Sequence, residues 1–217
     1  IKQFILALSI VCSSTSQLWA DSWKEITYAD PTIFVEEGKY YLTGTRGREP
    51  FGFALLESTD LKHWSVANGD TLQLILRKGD HVFGERGFWA PQYFKDEDTY
   101  YFTYTANEHT AIASSKSVFG PFLQEEIKPI DGSAKNIDPF LFKDDDGKYY
   151  LYHVRFNKGS YLWVAEFDMV KRSIKPETLK QCLDCTEPWE KTPNYKSAPI
   201  MEGPTVKKWD GVYYLFY

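Results

Sequence analysis

The sequence predicts an all-β protein of the propeller class, in which four-stranded sheets pack face to face around a central channel. The first observation is a phrase that occurs four times: an apolar strand, a polar turn and a strand that begins with a tyrosine pair. The second is the spacing of these pairs, which are 60, 49 and 64 residues apart at Tyr40, Tyr100, Tyr149 and Tyr213. The third is that no long segment has the apolar period of an amphipathic helix. Repeats of about 50 residues are typical of propeller blades.

Each of the four phrases has the pattern of a β-hairpin, because its turn is rich in Gly and Asp, which tolerate a tight backbone. Further strands for the outer part of the blades are predicted in FGFALLEST, TAIASSKS and SYLWVAEF. These elements account for about four blades. In chain order the hairpins are ADPTIFVEEGKYYL, APQYFKDEDTYYF, DPFLFKDDDGKYYL and EGPTVKKWDGVYYL.

A carboxylate stands next to the proline motif that opens three of the hairpins, as Asp30, Asp138 and Glu202, whereas the remaining hairpin has Ala90 beside Trp89. A single Asp-Pro pair is more often only the start of a turn. In a propeller, however, the first strand of each blade lines the channel, so these positions converge on one mouth. Acids placed there repel each other unless a cation or a chemical role offsets the repulsion. The pattern therefore predicts a functional pocket.

The composition excludes one class of partner and favours another. The formal charge is −5, from 25 Lys and Arg against 30 Asp and Glu, and the basic residues are scattered, so no nucleic-acid partner is expected. Aromatic residues reach 17%, with 15 Tyr, 15 Phe and 7 Trp. Aromatic side chains favour strands and also provide flat surfaces for stacking against sugar rings.

Residues 1–20 have the pattern of an export signal, with Lys2 before the apolar run FILALSIVC and a small, polar segment after it. This run is too short to span a bilayer, and no other segment approaches about 20 apolar residues, so no membrane span is expected. We predict cleavage after Ala20 and a single mature domain, residues 21–217, exported to the periplasm or the cell exterior. Lipid anchoring through Cys12 is the alternative.

Cys182 and Cys185 form a C-x-x-C pair in a polar segment. A zinc site would need two more ligands of similar spacing, and the sequence has no matching His or Cys pair. A local disulfide and two unpaired thiols both remain open.

The segments ADPTIF, FWAPQYF, NIDPFLF and EGPTVKKWDGVYYLFY together resemble the five-bladed propeller domain of glycoside hydrolase family 43, over residues ~25 to 217. The resemblance implies that Asp30 is the general base, that Glu202 is the general acid, and that Asp138 raises the pKa of the acid and orients it. It also implies inversion at the anomeric carbon, for which the base and the acid should stand roughly 6.5–9.5 Å apart. Because the family has five blades, the sequence is expected to be cut short before the fifth.

Several further residues are candidates for contact with the sugar. Trp89 and Phe88 lead the second hairpin, Phe53 follows the loop of the first, and His153 and Arg155 follow the third tyrosine pair. For the phenylalanines, packing between blades is an equally good explanation, and a lone histidine more often has a structural role. No cofactor is required, although the resemblance allows a structural calcium ion in the channel. The sequence DDDG at residues 144–147 is better explained by a hairpin turn, because no glutamate follows at position 12 of a calcium loop.

The expected substrate is an arabinose- or xylose-containing polysaccharide of the plant cell wall. We favour an α-L-arabinofuranosidase, with a β-D-xylosidase and an endo-arabinanase as alternatives of the same family. A non-catalytic carbohydrate-binding propeller is the alternative of another class, but such a module has no need of both an acid and a base. The oligomeric state is left open.

Overall fold

The computed structural model describes residues 26–69, 71–190 and 198–217. The predicted export signal and Cys12 lie outside these residues. The regular secondary structure of the described part is almost entirely β-strand, which confirms the predicted fold class, and its sheets do not close into a ring. Within it, no helix is long and apolar enough to cross a membrane.

Each of the four sequence phrases forms a hairpin that begins one blade. The first blade contains β1 (Ala29–Glu36), β2 (Lys39–Thr45), β4 (Leu56–Ser58) and β5 (Ser65–Val66), with β3 (Gly52–Ala54) and β6 (Leu74–Arg77) paired beside them. The second contains β7 (Trp89–Asp96), β8 (Thr99–Ala106) and β9 (His109–Ser115). The third contains β10 (Asn136–Lys143), β11 (Tyr149–Phe156), β12 (Ser160–Asp168), β13 (Ser173–Ile174) and β14 (Lys180–Gln181). The fourth contains β15 (Thr205–Trp209) and β16 (Val212–Phe216).

Apolar clusters between successive blades hold the blades together. The largest lies between the first and second blades, where Phe53, Phe102 and Tyr104 are fully buried. A second cluster, around Leu141 and Leu151, joins the second blade to the third. A third cluster, around Met201, joins the third blade to the fourth. Because the blades are joined face to face, the first strands of successive blades lie side by side around the channel.

A polar clamp is repeated at each of the three junctions between blades. In every case a lysine and the first tyrosine of the pair both donate to one carboxyl of the preceding blade. We call these acceptors the clamp carboxyls. The lysine also lies over the ring of that tyrosine, at 5.0, 5.2 and 4.7 Å from the ring centroid in chain order. The clamps are Lys95 and Tyr100 on Glu36, Lys143 and Tyr149 on Asp96, and Lys208 and Tyr213 on Asp144.

The third clamp explains the DDDG sequence. Residues 144–147 form the turn between β10 and β11, as the sequence predicted. The Lys208 ammonium lies 2.6 Å from Asp144 and 2.8 Å from Asp145, so a cationic side chain of this protein already balances these carboxylates.

Cys182 is a half-buried thiol that packs, together with Cys185, against the apolar cluster around Met201. Burial raises the pKa of Cys182 to about 11. The thiol is therefore protonated at neutral pH and is a poor nucleophile. The sequence left open a local disulfide and unpaired thiols, and the structure shows a thiol at Cys182.

Candidate active site

The same unusual backbone conformation occurs before the first proline of every blade. Asp30, Ala90 and Asp138 have positive φ angles of 47, 44 and 55°, and Gly203 has a φ of 65°. A positive φ is uncommon for residues other than glycine and is strained by about 1–3 kcal/mol. In the first three blades the strand also carries a bulge at this point. A bulge turns a side chain away from the regular alternation of the strand, here at the end of the strand that faces the channel.

These four positions line one cavity of about 420 Å³. Asp30, Ala90, Asp138 and Gly203 all contribute to its wall, together with the prolines that follow them. Asp30 and Asp138 therefore converge on one cavity, whereas Glu202 is not among the residues that line it. A volume of this size is in the range of pockets that hold small ligands.

The position of Glu202 differs by one residue from the alignment inferred from the sequence. That alignment placed Glu202 at the position of Asp30 and Asp138, but the residue with a left-handed backbone before Pro204 is Gly203. Glu202 instead corresponds to Trp89, which precedes the left-handed residue of the second blade. Glu202 and Asp138 both stand 11 residues before the first tyrosine of their pair, whereas Asp30 stands 10 residues before it. Glu202 and Asp138 match in this count only because the turn of the third blade is one residue longer.

Asp30 is held by a threonine from the neighbouring strand. Thr45, the last residue of β2, donates its hydroxyl proton to Asp30 Oδ2 over 2.6 Å. The Thr45 hydroxyl in turn accepts the backbone N–H of Ala90 over 2.9 Å. Asp30 is exposed to solvent, so the carboxylate remains accessible to water and to a ligand in the channel.

Asp138 accepts a backbone hydrogen bond from the fourth blade and has a raised pKa. Its Oδ2 accepts the backbone N–H of Gly203 over 3.0 Å, which fixes the chain directly beside Glu202. Its pKa is raised to about 6, chiefly by burial; the Gly203 hydrogen bond opposes the shift, and the charges of Glu202 and Asp30 add to it. Glu202 and Asp30 are therefore both near enough to Asp138 for their charges to affect it.

Gln92 sets the position of the blade that carries Asp138. From β7, its side-chain amide donates to the Leu141 carbonyl over 3.0 Å and accepts the Leu141 N–H over 2.7 Å. The side chain thus bonds to β10 in the way that a neighbouring strand would. Thr103 donates to the same amide oxygen over 3.2 Å. Neither Gln92 nor Thr45 was expected from the sequence, although both lie within or next to the repeated phrases.

Of the aromatic candidates, only Trp89 has an exposed side chain, although it is not among the residues that line the cavity. Its side chain is 39% exposed. Gly87 makes room for the indole, since a Cβ at Gly87 would come within 3.0 Å of the ring. Phe53 and Phe88 are only 0% and 3% exposed, and both pack in the apolar cluster between the first two blades. The prediction that they stack on a sugar is wrong, because neither ring has a free face.

His153 and Arg155 are also used within the fold. His153 is fully buried, and burial lowers its pKa to about 4, so the ring is neutral. It accepts a hydrogen bond from Arg155 Nε over 3.1 Å. The Arg155 guanidinium forms an ion pair with Asp131, in the segment that joins the second and third blades, and also bonds to Ser133. His153 has no exposed surface, so the prediction that it contacts the sugar is wrong. Arg155 is held by Asp131 and is not among the residues that line the cavity, and its contact with the sugar stays a prediction.

The calcium ion allowed by the family resemblance stays a prediction. No group of three or more His, Cys, Asp and Glu side chains among residues 26–69, 71–190 and 198–217 is arranged to hold a metal.

Similarity to known proteins agrees with a carboxylate-lined propeller. The fold resembles the crystal structure of an endo-1,4-beta-xylanase from Bacteroides thetaiotaomicron VPI-5482, at 41% identity and a TM-score of 0.78, over 87% of this chain and 62% of that one. It also resembles a thermostable family-43 glycoside hydrolase, at 30% identity and a TM-score of 0.73, with the same coverage of 87% and 62%.

The sequence matches the profile of glycosyl hydrolases family 43 over residues 24–217, and the chain belongs to this family. It is 34% identical to a beta-xylosidase of Xylanibacter ruminicola over 69% of this chain and 51% of the relative. It is 27% identical to an extracellular endo-alpha-(1->5)-L-arabinanase of Bacillus subtilis (strain 168) over 97% of this chain and 65% of that protein. The chain thus spans about half the length of the xylosidase.

Proposed function

We propose that the protein containing this chain hydrolyses glycosidic bonds in xylose- or arabinose-containing polysaccharides of the plant cell wall, with inversion at the anomeric carbon. The observation that carries the proposal is the convergence of Asp30 and Asp138 on one channel, with Glu202 directly beside the Gly203 amide that Asp138 binds. Hydrolysis of a glycoside needs one carboxylate that accepts a proton and one carboxylic acid that donates one.

In the proposed reaction, Asp30 removes a proton from a water molecule as the water oxygen attacks the anomeric carbon. The bond from that carbon to the leaving oxygen breaks, and Glu202 donates a proton to the leaving oxygen. Asp138 does not exchange protons with the substrate in this scheme. Its carboxyl holds the Gly203 amide and so fixes the backbone that carries Glu202. The charge of Glu202 in turn adds to the raised pKa of Asp138.

Trp89 is proposed to pack against the sugar in the channel. It occupies the position in the second blade that Glu202 occupies in the fourth, and its indole is partly exposed. Ala90, the residue that follows, has a methyl group where the first and third blades have Asp30 and Asp138, which leaves room in the cavity beside it.

The identity of the pentose in the substrate is a more specific part of the proposal. The sequence favours an α-L-arabinofuranoside, whereas the names of the relatives at 41% and 34% identity, a xylanase and a xylosidase, favour a β-D-xyloside. Export is proposed from the N-terminal pattern and from the arabinanase of Bacillus subtilis, which is named as extracellular.

The test measures release of p-nitrophenol from the α-L-arabinofuranoside and the β-D-xyloside by the full-length protein, with arabinan and xylan as polymeric substrates. Asp30→Asn and Glu202→Gln are measured in parallel, with Asp98→Asn as a control for the same change at an exposed turn. We expect hydrolysis that falls at least about 100-fold in the two site variants and is unchanged in the control. A folded protein that binds these polymers and hydrolyses none of the substrates would refute the proposal in favour of a binding propeller.

A further inference from the structure

A threonine hydroxyl joins successive blades at two equivalent places. Thr45 pairs with Ala29, and Thr105 pairs with Trp89, the residues just before the left-handed position of their blades. Each hydroxyl accepts the backbone N–H of the left-handed residue in the next blade over 2.9 Å. The donor is Ala90 for Thr45 and Asp138 for Thr105.

Thr45 makes a second hydrogen bond, to a carboxylate. Its hydroxyl proton goes to Asp30 Oδ2 over 2.6 Å, whereas the corresponding residue of the second blade is Ala90, which has no carboxylate to offer Thr105. A hydroxyl has one proton to donate. Because the Ala90 N–H already approaches the Thr45 oxygen, the rotation of the hydroxyl is restricted and its proton is directed to Asp30.

The third junction shows that the fold does not require a hydroxyl at this place. Val154 takes the position of the two threonines, opposite Ile137. There the amide of the next left-handed residue, Gly203, is bound by Asp138 Oδ2 instead. The bond from Thr45 to Asp30 is therefore additional to what joins one blade to the next.

We propose that Thr45 is a positioning residue for the Asp30 carboxylate. Its hydroxyl holds Oδ2, fixes the plane of the carboxylate and leaves Oδ1 to accept the proton of the attacking water. This inference rests on the proposed function, because it assigns Thr45 to the base of that reaction. A misplacement of a reacting group by about 1 Å can lower the rate on the order of 100-fold.

The experiment compares Thr45→Val, which removes the hydroxyl with little change in shape, with Thr45→Ser, which keeps it. Thr43→Val is the matched control: Thr43 lies on the same strand, is fully buried, and its hydroxyl has no hydrogen-bond partner among the described residues. On a substrate that the wild-type full-length protein hydrolyses, we expect kcat of Thr45→Val to fall about 10- to 100-fold with KM changed less than about twofold. Thr45→Ser should recover most of this loss, and Thr43→Val should keep the wild-type kcat.

A double-mutant cycle separates positioning from a general structural effect. In an Asp30→Asn background, Thr45→Val should cause little further loss of the residual rate, because the carboxylate on which it acts is gone. The same further loss with and without the Asp30 carboxylate would overturn the positioning role. Melting temperatures show whether each variant is folded. If Thr45→Val does not fold, Thr45→Cys replaces the hydroxyl by a weak donor of similar size, and a wild-type kcat for it would overturn the role.

The outcomes also separate this inference from the proposed function. If the wild-type protein is active, Asp30→Asn is inactive and Thr45→Val keeps the wild-type kcat, then only the positioning role fails. If the wild-type protein hydrolyses no glycoside, or if Asp30→Asn retains full activity, then the proposed function fails and the positioning role fails with it.

Discussion

Replacing Asp138 by asparagine should make the protein more stable at alkaline pH, although it removes a site carboxyl. Burial and two neighbouring acids raise the pKa of Asp138 to about 6 from an ordinary value of 3.8. A raised pKa in the folded state means that ionisation of Asp138 weakens the native structure. This destabilisation is absent below the unfolded-state pKa and complete above the folded-state value. Asparagine is of the same size, stays neutral, and keeps an oxygen that can accept the Gly203 N–H.

The magnitude follows from the size of the shift. About two pKa units correspond to about 3 kcal/mol, so ionised Asp138 lowers the free energy of unfolding by about 3 kcal/mol at pH 8. At pH 4.5, where the folded-state carboxyl is mostly protonated, the same linkage gives only about 1 kcal/mol. The stability of Asp138→Asn relative to wild type should therefore rise by about 2 kcal/mol between pH 4.5 and pH 8.

The assay is urea denaturation of both proteins at several values of pH, followed by tryptophan fluorescence. Asp98→Asn, the same change in an exposed turn, should show no comparable dependence on pH. A stability difference between Asp138→Asn and wild type that is independent of pH, or that falls as the pH rises, would contradict a raised pKa of Asp138 in the folded protein. Asp138→Asn should lose activity although it is more stable, because it lacks the buried carboxyl of the site. Residues that serve function often do so at the expense of stability.

Three further predictions concern the junctions between blades. Gln92→Leu should lower the free energy of unfolding by about 3 kcal/mol, because it leaves the Leu141 N–H and C=O buried without partners; a loss below about 1 kcal/mol in urea denaturation would contradict this. Tyr149→Phe should cost about 1 kcal/mol through loss of its hydrogen bond to Asp96, and an unchanged urea midpoint would count against the clamp. Acidification below the ordinary carboxyl pKa values of 4.5 and 3.8 should lower the melting temperature, because hydrogen bonds hold the pKa of the clamp carboxyls below these values and the stability they provide is lost as the pH falls further. Substituting all three clamp carboxyls by their amides should reduce this fall of the melting temperature in acid. An unchanged fall would show that other groups cause it.

The fold was predictable from the sequence because its signals are local. Each apolar strand, its Gly- or Asp-containing turn and its tyrosine pair lie within about a dozen residues, and hairpins of this kind are fixed by neighbouring residues. Asp30 and Asp138 could be identified for the same reason, since the proline that follows marks the start of the strand that faces the channel.

The remaining features depend on how one blade packs on the next, and a short sequence pattern does not predict this packing. In the sequence, nothing distinguishes Phe53 and Phe88 from aromatic residues that stack on a sugar. Only the contact between the first two blades decides that they are buried. The role of Thr45 is similarly hidden, because a threonine at the end of a strand is common. It becomes a candidate only when Asp30 and the Ala90 amide are seen on either side of its hydroxyl.

The most direct test of the account is the configuration of the first product, followed by proton NMR as the full-length protein hydrolyses whichever pentoside it accepts. If Asp30 activates water on one face of the sugar while Glu202 protonates the leaving oxygen on the other, the first anomer formed must have the opposite configuration to the substrate. From a β-D-xyloside this product is α-D-xylose, seen before mutarotation. Initial release of the anomer that retains the substrate configuration would contradict the assignment of Asp30 as a base and require a nucleophile in its place.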